Sequence, residues 1–244
     1  MQPTPDILGV IPARLGSTRL ARKALAAIGG KPMIQRVYEG ARACARLRAL
    51  GVATDADEIA TVCRAAGIPV WLTAAGHPSG TSRIAEVLRA HPAAAVVNIQ
   101  GDEPMVQPEM IAALLEALFA APEIEIATLA TSLAPEDGDD PSVVKVVCDA
   151  RGRALYFSRA AIPYPRCGAP ARRKHLGYYA YSARALEAFL TWPAGPLEIA
   201  EQLEQLRFLE NGWPIAVAET AYDTIGVDTA ADLARVQAHF QRRQ

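Results

Sequence analysis

The sequence predicts an α/β protein with a mainly parallel, doubly wound, Rossmann-like sheet and a smaller α+β lobe. Short apolar segments alternate with helical periodicity through the first half of the 244-residue chain. This alternation is typical of strands that pair in parallel through crossover helices. In the second half a hairpin pattern interrupts the alternation and predicts an antiparallel addition. A hydrophobic content of 51% is ample for a large core.

The first half alternates predicted strands with predicted helices. Each strand is a short apolar run that stops at a turn or polar residue, and the first helix repeats apolar residues every three or four positions. The strands are predicted at 7–12, 50–53, 68–73 and 93–98, and the helices at 31–50, 57–67, 82–91 and 108–120. We expect Asp55 to cap the second helix. Ligands bind outside the carboxyl ends of strands in such sheets, so the loops after these strands form the candidate site.

The second half predicts a lobe of a different kind. Residues 143–159 read as two strands joined by a turn, and 196–212 as one helix that buries Leu197, Ile199, Leu203 and Leu206. The last strand and helix, over 224–240, return to the parallel pattern. We therefore predict a core at 1–141, a smaller lobe at 142–222, and a return to the core at 223–244.

Composition excludes several classes of protein. The formal net charge of -1 and a pI near 6.4 argue against nucleic-acid binding, which usually needs a basic face. No apolar run is long enough to span a bilayer, and the N-terminus lacks the pattern of a secretory signal. The four cysteines show no C-x-x-C pair. A cytoplasmic protein fits these features best.

The loop after the first strand is built to bind anions. It combines Gly16, which lets backbone N–H groups approach a ligand, with hydroxyl and cationic side chains. These are Arg14, Ser17, Thr18, Arg19, Arg22 and Lys23. Neither a dinucleotide fingerprint nor a P-loop is present, so a polyphosphate would bind by another arrangement. The alternative is an ordinary solvated basic surface.

Two aspartates follow apolar segments and are candidate ligands for Mg²⁺. Asp102 comes after the strand at 93–98, and Asp228 ends a short apolar segment near the C-terminus. Carboxylates beside a phosphate-binding loop are what Mg²⁺ requires. For each aspartate the alternative is a cap for the helix that follows.

Eight short motifs, in collinear order over nearly the whole chain, resemble the 3-deoxy-manno-octulosonate cytidylyltransferases, or CMP-Kdo synthetases. The motifs are IPARLGSTR at 11–19, ATD at 53–55, HPSGT at 77–81, NIQGDEP at 98–104, KVV with ALYFSRAAIP at 145–163, HLGYYAY at 175–181, PLEIAEQLEQLR from Pro196, and GVDTAADL at 226–233. The resemblance implies a sheet of the nucleotide-diphospho-sugar transferase type. It also implies transfer of CMP from CTP to a 2-keto-3-deoxy sugar acid for lipopolysaccharide synthesis.

The resemblance assigns roles at the nucleotide end. Arg14, Ser17, Arg19 and Lys23 would hold the triphosphate, and the last two would offset charge on the leaving pyrophosphate. Mg²⁺ would lie between Asp102 and Asp228. The remaining contacts, to the base, the ribose or the junction with the sugar, would come from Ser79, Gly80 and Gln100.

The sugar end would be bound by the smaller lobe. A carboxylated, polyhydroxylated substrate needs a guanidinium for the carboxylate and hydrogen-bonding side chains for the hydroxyls. By resemblance these residues are Arg159, His175, Tyr179, Glu204 and Gln205. Judged from the sequence alone, each could instead be a surface or core residue. The resemblance also implies a homodimer formed through the smaller lobe, with the apolar hairpin as the interface.

The chain departs from the family pattern in two loops. The family's phosphate loop normally continues as RLPGKPL, whereas this chain reads RLARKAL and places Arg22 where a glycine is usual. The third strand is normally followed by an Arg and an acid, which Ala74 and Gly76 replace, and Ser82 stands where the family has an acid. These changes leave open a different 2-keto sugar acid, such as an amino-substituted one, or a protein that binds CTP without turnover. A glycosyltransferase of a similar fold is disfavoured, because such enzymes generally present two acids that flank one residue, whereas the two acids in QGDEP are adjacent.

Overall fold

The computed structural model describes residues 5–16, 20–168 and 171–242. The chain divides into two compact units, Met1–Ala112 with Asp223–Gln244 and Ala113–Tyr222. Within the described ranges, no helix is both long enough and apolar enough to cross a membrane.

The strands are, in chain order, β1 (Ile7–Ala13), β2 (Ala27–Ile28), β3 (Lys31–Pro32), β4 (Ala49–Thr54), β5 (Val70–Leu72), β6 (Ala95–Asn98), β7 (Ile126–Ser132), β8 (Lys145–Cys148), β9 (Ala154–Ser158), β10 (Arg173–Ser182) and β11 (Ile215–Glu219). The helices are α1 (Met33–Ala41), α2 (Asp57–Ala65), α3 (Gly80–Ala90), α4 (Pro108–Leu118), α5 (Ala183–Thr191), α6 (Pro196–Glu201), α7 (Leu206–Glu210) and α8 (Ala230–Gln241).

The first unit contains a parallel sheet in the order β6–β1–β4–β5. Ile11 of β1 lies opposite Val52 of β4, and Val10 lies opposite Asn98 of β6. The chain runs outward from β1 through β4 and β5, then returns to the other side of β1 for β6. The α/β class and the mostly parallel sheet are thus confirmed. Doubly wound sheets bind ligands at the point where the strand order switches sides, which here lies between β1 and β6.

The second unit contains a mixed sheet. Strand β7 pairs with β11 in parallel and with β10 antiparallel, while β8 joins β10 to β9. The predicted hairpin is confirmed, because Val146 of β8 lies opposite Phe157 of β9 in antiparallel register. The register of β10 against β7 shifts between Leu176 and Tyr179. This irregularity releases backbone carbonyls of β10 from the regular ladder.

The single helix predicted over 196–212 is wrong, because the chain breaks between α6 and α7 at Gln202. Gln202 adopts the left-handed conformation, with φ of 55°, and so ends α6. Leu197 and Ile199 are exposed, whereas Leu203 and Leu206 are buried. The apolar spacing is compatible with one helix, but hydrogen bonds from the end of β9 to Glu201 hold the chain in a turn.

Aromatic packing fixes the direction of α7 after this break. Phe208 is 1% exposed and stacks against Tyr181 and Phe189, while Trp192 meets it edge-on. Such pairs are worth about 1 kcal/mol each beyond the area they bury. This packing and the Glu201 bonds together exceed the cost of about 1–2 kcal/mol for one left-handed residue.

Candidate active site

The carboxyl ends of β1 and β6 open into a cavity of about 540 Å³ in the first unit. That volume lies within the usual range for small-molecule sites. The predicted nucleotide and metal residues among its lining are Arg14, Lys23, Ser79, Gly80, Gln100, Asp102 and Asp228. Ser17 and Arg19 of the predicted phosphate loop lie outside the described residues.

Asp102 and Asp228 meet at one ammonium group. Lys23 Nζ lies 2.6 Å from Asp102 Oδ2 and 2.9 Å from Asp228 Oδ1. The backbone also joins the two aspartate segments, because the Val227 N–H donates to the Asp102 carbonyl at 2.9 Å. Residues far apart in the sequence thus bring two carboxylates and one cation to the same point.

Electrostatics favours the charged form of Lys23 in this arrangement. Burial alone lowers the pKa of the amine, but the charge and hydrogen bond of Asp102, followed by those of Asp228, outweigh that effect. The net result is a raised pKa. Lys23 therefore remains an ammonium and neutralises part of the charge of the two aspartates.

The capping alternative does not account for either aspartate. At the start of α8 the cap is Thr229, whose side chain accepts from the Asp232 N–H while the Asp232 side chain bonds back to Thr229. Asp102 lies well ahead of α4, which begins at Pro108. Neither aspartate is therefore explained as a helix cap, and both line the cavity.

The loop between β5 and α3 forms another wall of the cavity. Ser79 caps α3 through a reciprocal bond with Ser82. A Cβ atom added to Gly80 would lie 3.2 Å from Pro12 Cγ, so a larger residue there would crowd β1. A Cβ atom added to Gly101 would lie 2.7 Å from the Pro12 carbonyl oxygen. Gly80, at the start of α3, and Gly101, in the loop after β6, therefore let their segments approach β1 closely.

Arg83 is a cavity residue that sequence reasoning missed. It is 4% exposed, forms an ion pair with Asp55 at 3.0 Å, and bonds to Thr73. Asp55 therefore does not cap α2 as predicted, because its carboxylate is engaged with Arg83 and the cap position, Ala56, has no side-chain bond. The helical periodicity of α3 gave no sign that an arginine on its buried side had a partner after β4.

His77 and Glu86 fasten the same loop to α3. Their side chains are hydrogen-bonded, and a Glu86 oxygen also accepts from the Ala74 N–H at 3.1 Å. The bond with His77 is the main cause that lowers the pKa of the Glu86 carboxyl. His77 lines the cavity, so this contact fixes part of its wall.

Arg22 shows how this chain accommodates one of its departures from the family pattern. The residue adopts a left-handed conformation with φ of 55°, which glycine tolerates far better than arginine. Its guanidinium forms an ion pair with Glu58 of α2. Arg22 thus adds strain to the predicted phosphate loop and also ties that loop to α2.

In the second unit, three predicted sugar-binding residues are linked by close contacts. The rings of His175 and Tyr179 lie 5.5 Å apart. Burial, followed by Tyr181 and Glu204, raises the pKa of the Tyr179 phenol well above its usual value. Burial lowers the pKa of His175 to about 3. The histidine and the tyrosine are therefore neutral at physiological pH.

Arg159 is held at the end of β9 by carbonyl groups and Glu201. Its Nε donates to the Glu201 carbonyl at 2.8 Å and its Nη1 to the Pro141 carbonyl at 3.0 Å. The Glu201 carboxylate accepts from the Arg159 N–H and from Ser158. The fully buried Lys145 donates to the carbonyls of Arg159 and Asp140. The guanidinium is thus fixed in place with Nη2 still able to bind a ligand.

Gln205 is buried and has an unsatisfied donor. It is 6% exposed, and its Nε2 has no hydrogen-bond partner among the described residues. A buried amide nitrogen without a partner costs about 1–3 kcal/mol. A hydroxyl-bearing ligand would remove that cost.

Comparisons with known proteins agree over nearly the whole chain. A family model described as cytidylyltransferase matches residues 8–220. The chain is 50% identical to the 3-deoxy-manno-octulosonate cytidylyltransferase of Koribacter versatilis over 98% of its own length and 92% of that protein. It is 50% identical to the protein of that name from Acidobacterium capsulatum, over 98% of both chains.

Solved structures are similar to this chain at both high and low sequence identity. A CMP:2-keto-3-deoxy-manno-octonic acid synthetase complexed with CTP superimposes with a TM-score of 0.94 and 41% identity, over 98% of this chain and 100% of that one. The 4-diphosphocytidyl-2C-methyl-D-erythritol synthase of Anaerococcus prevotii has a TM-score of 0.68 at 16% identity, over 98% and 97% of the two chains. The second likeness concerns the fold alone.

Proposed function

Because this chain belongs to the 3-deoxy-manno-octulosonate cytidylyltransferases of the cytidylyltransferase family, we propose that it transfers CMP from CTP to 3-deoxy-D-manno-octulosonate (Kdo). The products are CMP-Kdo and pyrophosphate, and the pathway served is lipopolysaccharide biosynthesis. The observation that carries the proposal is the meeting of Lys23, Asp102 and Asp228 at the cavity beyond β1 and β6.

The reaction replaces one bond at the α-phosphorus with another. The anomeric hydroxyl oxygen of Kdo attacks that phosphorus, the bond to the bridging oxygen of pyrophosphate breaks, and the hydroxyl proton is released. Displacements of this kind are catalysed mainly by alignment and charge stabilisation. Arg14 and Lys23 supply positive charge for the triphosphate, and we assign Ser17 and Arg19 to the same role. Ser79, Gly80 and Gln100 form the proposed walls around the nucleoside and its junction with the sugar.

Nucleotidyltransferases of this kind typically use a divalent metal, and we propose Mg²⁺ held by Asp102 and Asp228. Both carboxylates lie within hydrogen-bond distance of one ammonium, so they are close enough to share a cation. The described part of the chain contains no cluster of three or more His, Cys, Asp or Glu side chains that could hold a metal. This fits Mg²⁺, which commonly takes one or two carboxylates and completes its shell with substrate phosphates and water. When bound, Mg²⁺ would supply charge neutralisation at the phosphates.

We propose that Lys23 has one role before the nucleotide binds and another after it binds. Without a ligand, its ammonium offsets the repulsion between Asp102 and Asp228. The triphosphate offers competing anionic partners, so we propose that Lys23 moves to the phosphates and stabilises charge on the departing pyrophosphate. A lysine suits this exchange because its ammonium is a point charge on a flexible stem.

The proposed sugar residues have the chemistry that Kdo requires. Arg159 would bind the carboxylate through its remaining N–H groups, a charge-assisted contact. His175, Tyr179, Glu204 and Gln205 would bind hydroxyl groups, and the unsatisfied Nε2 of Gln205 supports this assignment.

We also propose that the protein is a homodimer formed through residues 142–222. Strand β9 pairs only with β8 among the described strands, and its Leu155 is 62% exposed. An apolar edge strand favours association with another chain. Light scattering at micromolar concentration should give a dimer mass, and a monomer mass would contradict this.

The remaining proposals are that the protein is cytoplasmic and that different parts of the chain bind the two substrates. All four cysteines are free thiols, as expected in a reducing cytoplasm. We assign most CTP contacts to 1–141 with 223–244, and most sugar contacts to 142–222.

The experiment that tests the function is pyrophosphate release from CTP with a panel of sugar acids, including Kdo and amino-substituted Kdo. We expect release that requires both a divalent cation and Kdo. The Asp102→Asn variant should lose at least about 10²-fold in turnover, because one of the two proposed carboxylate ligands of Mg²⁺ is removed and the phosphates lose part of their charge neutralisation.

The control is Asp57→Asn on α2, which removes an exposed carboxylate outside the cavity. It should retain wild-type turnover. Binding of CTP without pyrophosphate release for any sugar acid would refute the proposed transfer. Faster turnover of an amino-substituted acid than of Kdo would reassign the substrate but keep the chemistry.

A further inference from the structure

Thr128, on β7, lies at the centre of the sugar-binding cluster and has no assigned role. It is fully buried, and its Oγ1 lies 2.9 Å from His175 Nε2 and 2.8 Å from the Tyr178 carbonyl. The Leu176 carbonyl is farther away, at 3.3 Å. A hydrogen bond also links the hydroxyl to the Tyr179 side chain. Both carbonyls belong to the stretch of β10 where the register shifts.

The number of protons in this cluster limits the direction of each bond. A threonine hydroxyl has one proton to donate and two lone pairs that accept. Backbone carbonyls only accept, so the proton of Thr128 is directed to the nearby Tyr178 carbonyl. The two lone pairs of the hydroxyl oxygen are then left to accept from the Tyr179 phenol and from His175, which requires that Nε2 carries a hydrogen.

This requirement settles the state of the other ring nitrogen. A neutral imidazole carries one N–H, so a proton on Nε2 leaves Nδ1 with a lone pair. Burial favours the neutral ring over the charged one. In the described chain Nδ1 has no protein hydrogen-bond partner, and His175 keeps partial exposure. Nδ1 is therefore able to accept a hydrogen bond from a ligand.

We propose that Thr128 is a positioning residue that holds His175 in the Nε2-protonated tautomer, so that Nδ1 accepts a hydrogen bond from a sugar hydroxyl. The identity of the ligand rests on the proposed function, whereas the tautomer does not. The consequence is selectivity: Nδ1 favours a hydroxyl, which can donate, over an ether or carbonyl oxygen, which cannot.

The first test is spectroscopic and needs no substrate. Long-range ¹H–¹⁵N correlation of the ¹⁵N-histidine-labelled full chain at pH 7.5 reports which ring nitrogen is protonated, and a His175→Asn variant assigns the signals. We expect Nε2 protonation in the wild type and in Thr128→Ser, which retains the hydroxyl. Thr128→Val, of nearly equal volume, should lose this single tautomer. A wild-type ring protonated on Nδ1, or an unchanged pattern in Thr128→Val, would overturn the proposal.

The second test separates the two substrates. In Thr128→Val the KM for the sugar acid should rise about tenfold, in line with one lost hydrogen bond to a ligand, while the KM for CTP stays unchanged. Thr128→Ser should restore the wild-type value. The matched control is Thr131→Val, a buried threonine on the same strand that lies opposite Lys174 in the ladder, whereas His175 lies opposite Ala130. An equal KM change in that control would show a general effect on β7 and contradict the proposal.

These outcomes are distinguishable from failure of the proposed function. A wild-type protein that uses no sugar acid but shows the Nε2 tautomer would refute the transfer reaction alone. An active enzyme with the other tautomer would refute the role of Thr128 alone.

Discussion

The two candidate sites of this protein are held together by different forces. In the first unit, Lys23 joins two aspartates through ion pairs whose side chains keep contact with solvent. In the second unit, Thr128 is fully buried and His175, which is partly exposed, is neutral, and the two form a hydrogen-bonded network. Ion pairs near water exchange partners readily, whereas a buried network is costly to break. The proposed nucleotide site is thus able to rearrange, and the proposed sugar site is preorganised.

The largest expected effect tests whether Lys23 in the first unit changes partners. Lys23→Ala should lower pyrophosphate release by about 10³-fold, because the proposed partner of the leaving group is lost. The same variant should bind Mn²⁺ at least about tenfold tighter in the absence of nucleotide, since no ammonium then competes for the two carboxylates. Activity assays and calorimetry with Mn²⁺ measure the two effects.

Lys31→Ala is the control, because Lys31 forms an ion pair with Glu39 in the same unit. It should change neither quantity. If Lys23→Ala binds Mn²⁺ no better than the wild type, the ammonium does not compete with a cation at this position.

The second prediction tests whether the sugar end is neutral. The folded-state pKa of His175, about 3, lies below its ordinary value of 6.5. As the pH falls from 6.5, the unfolded chain therefore binds this proton before the folded chain does. The stabilising contribution is complete above pH 6.5 and is lost as the pH falls toward 3. At pH 5 the loss amounts to about 2 kcal/mol.

Urea unfolding at pH 7 and pH 5 measures this effect. His175→Gln lacks the titrating ring, so its free energy of unfolding should fall less between these two values than that of the wild type. His91→Gln changes an exposed histidine and should follow the wild type. An identical pH dependence in His175→Gln would show that the ring is not neutral by burial.

The third prediction concerns the support of Arg159. Glu201→Gln keeps the side-chain shape but leaves one oxygen, so the Arg159 N–H and the Ser158 hydroxyl can no longer both donate to a carboxylate. We expect the KM for Kdo to rise about tenfold, with the KM for CTP unchanged, because a charge-assisted bond becomes a neutral one. Glu187→Gln, on the exposed side of α5, should behave as the wild type. Steady-state kinetics with each substrate varied in turn provides both values.

The two ends also differ in how far the sequence predicts them. Strand β1 and its loop are local features, so an apolar run followed by glycine and arginine predicts both a strand and an anion-binding loop. The break at Gln202 is not local. It depends on Glu201 bonding to the end of β9, a contact that apolar spacing does not encode.

The residues that sequence reasoning missed also depend on contacts between distant segments. Arg83 and Asp55 pair across two elements, and Thr128 acts on a histidine from a neighbouring strand. Within its own helix, strand or loop, each of these residues fits an ordinary structural role. Strand ends place the cavity from sequence alone, whereas the side chains that orient its ligands emerge only once the strands are paired.

The smallest expected effect concerns Arg22, where the charged loop of the first unit carries backbone strain. Relieving the left-handed conformation favours Arg22→Gly, while loss of the exposed ion pair with Glu58 opposes it. Arg22→Ala loses the ion pair and keeps the strain. We therefore expect the glycine variant to exceed the alanine variant by about 1 kcal/mol in free energy of unfolding, as measured by urea denaturation. Equal stabilities would mean that the loop relaxes without cost, which would extend the adaptability inferred for Lys23 to the backbone that carries it.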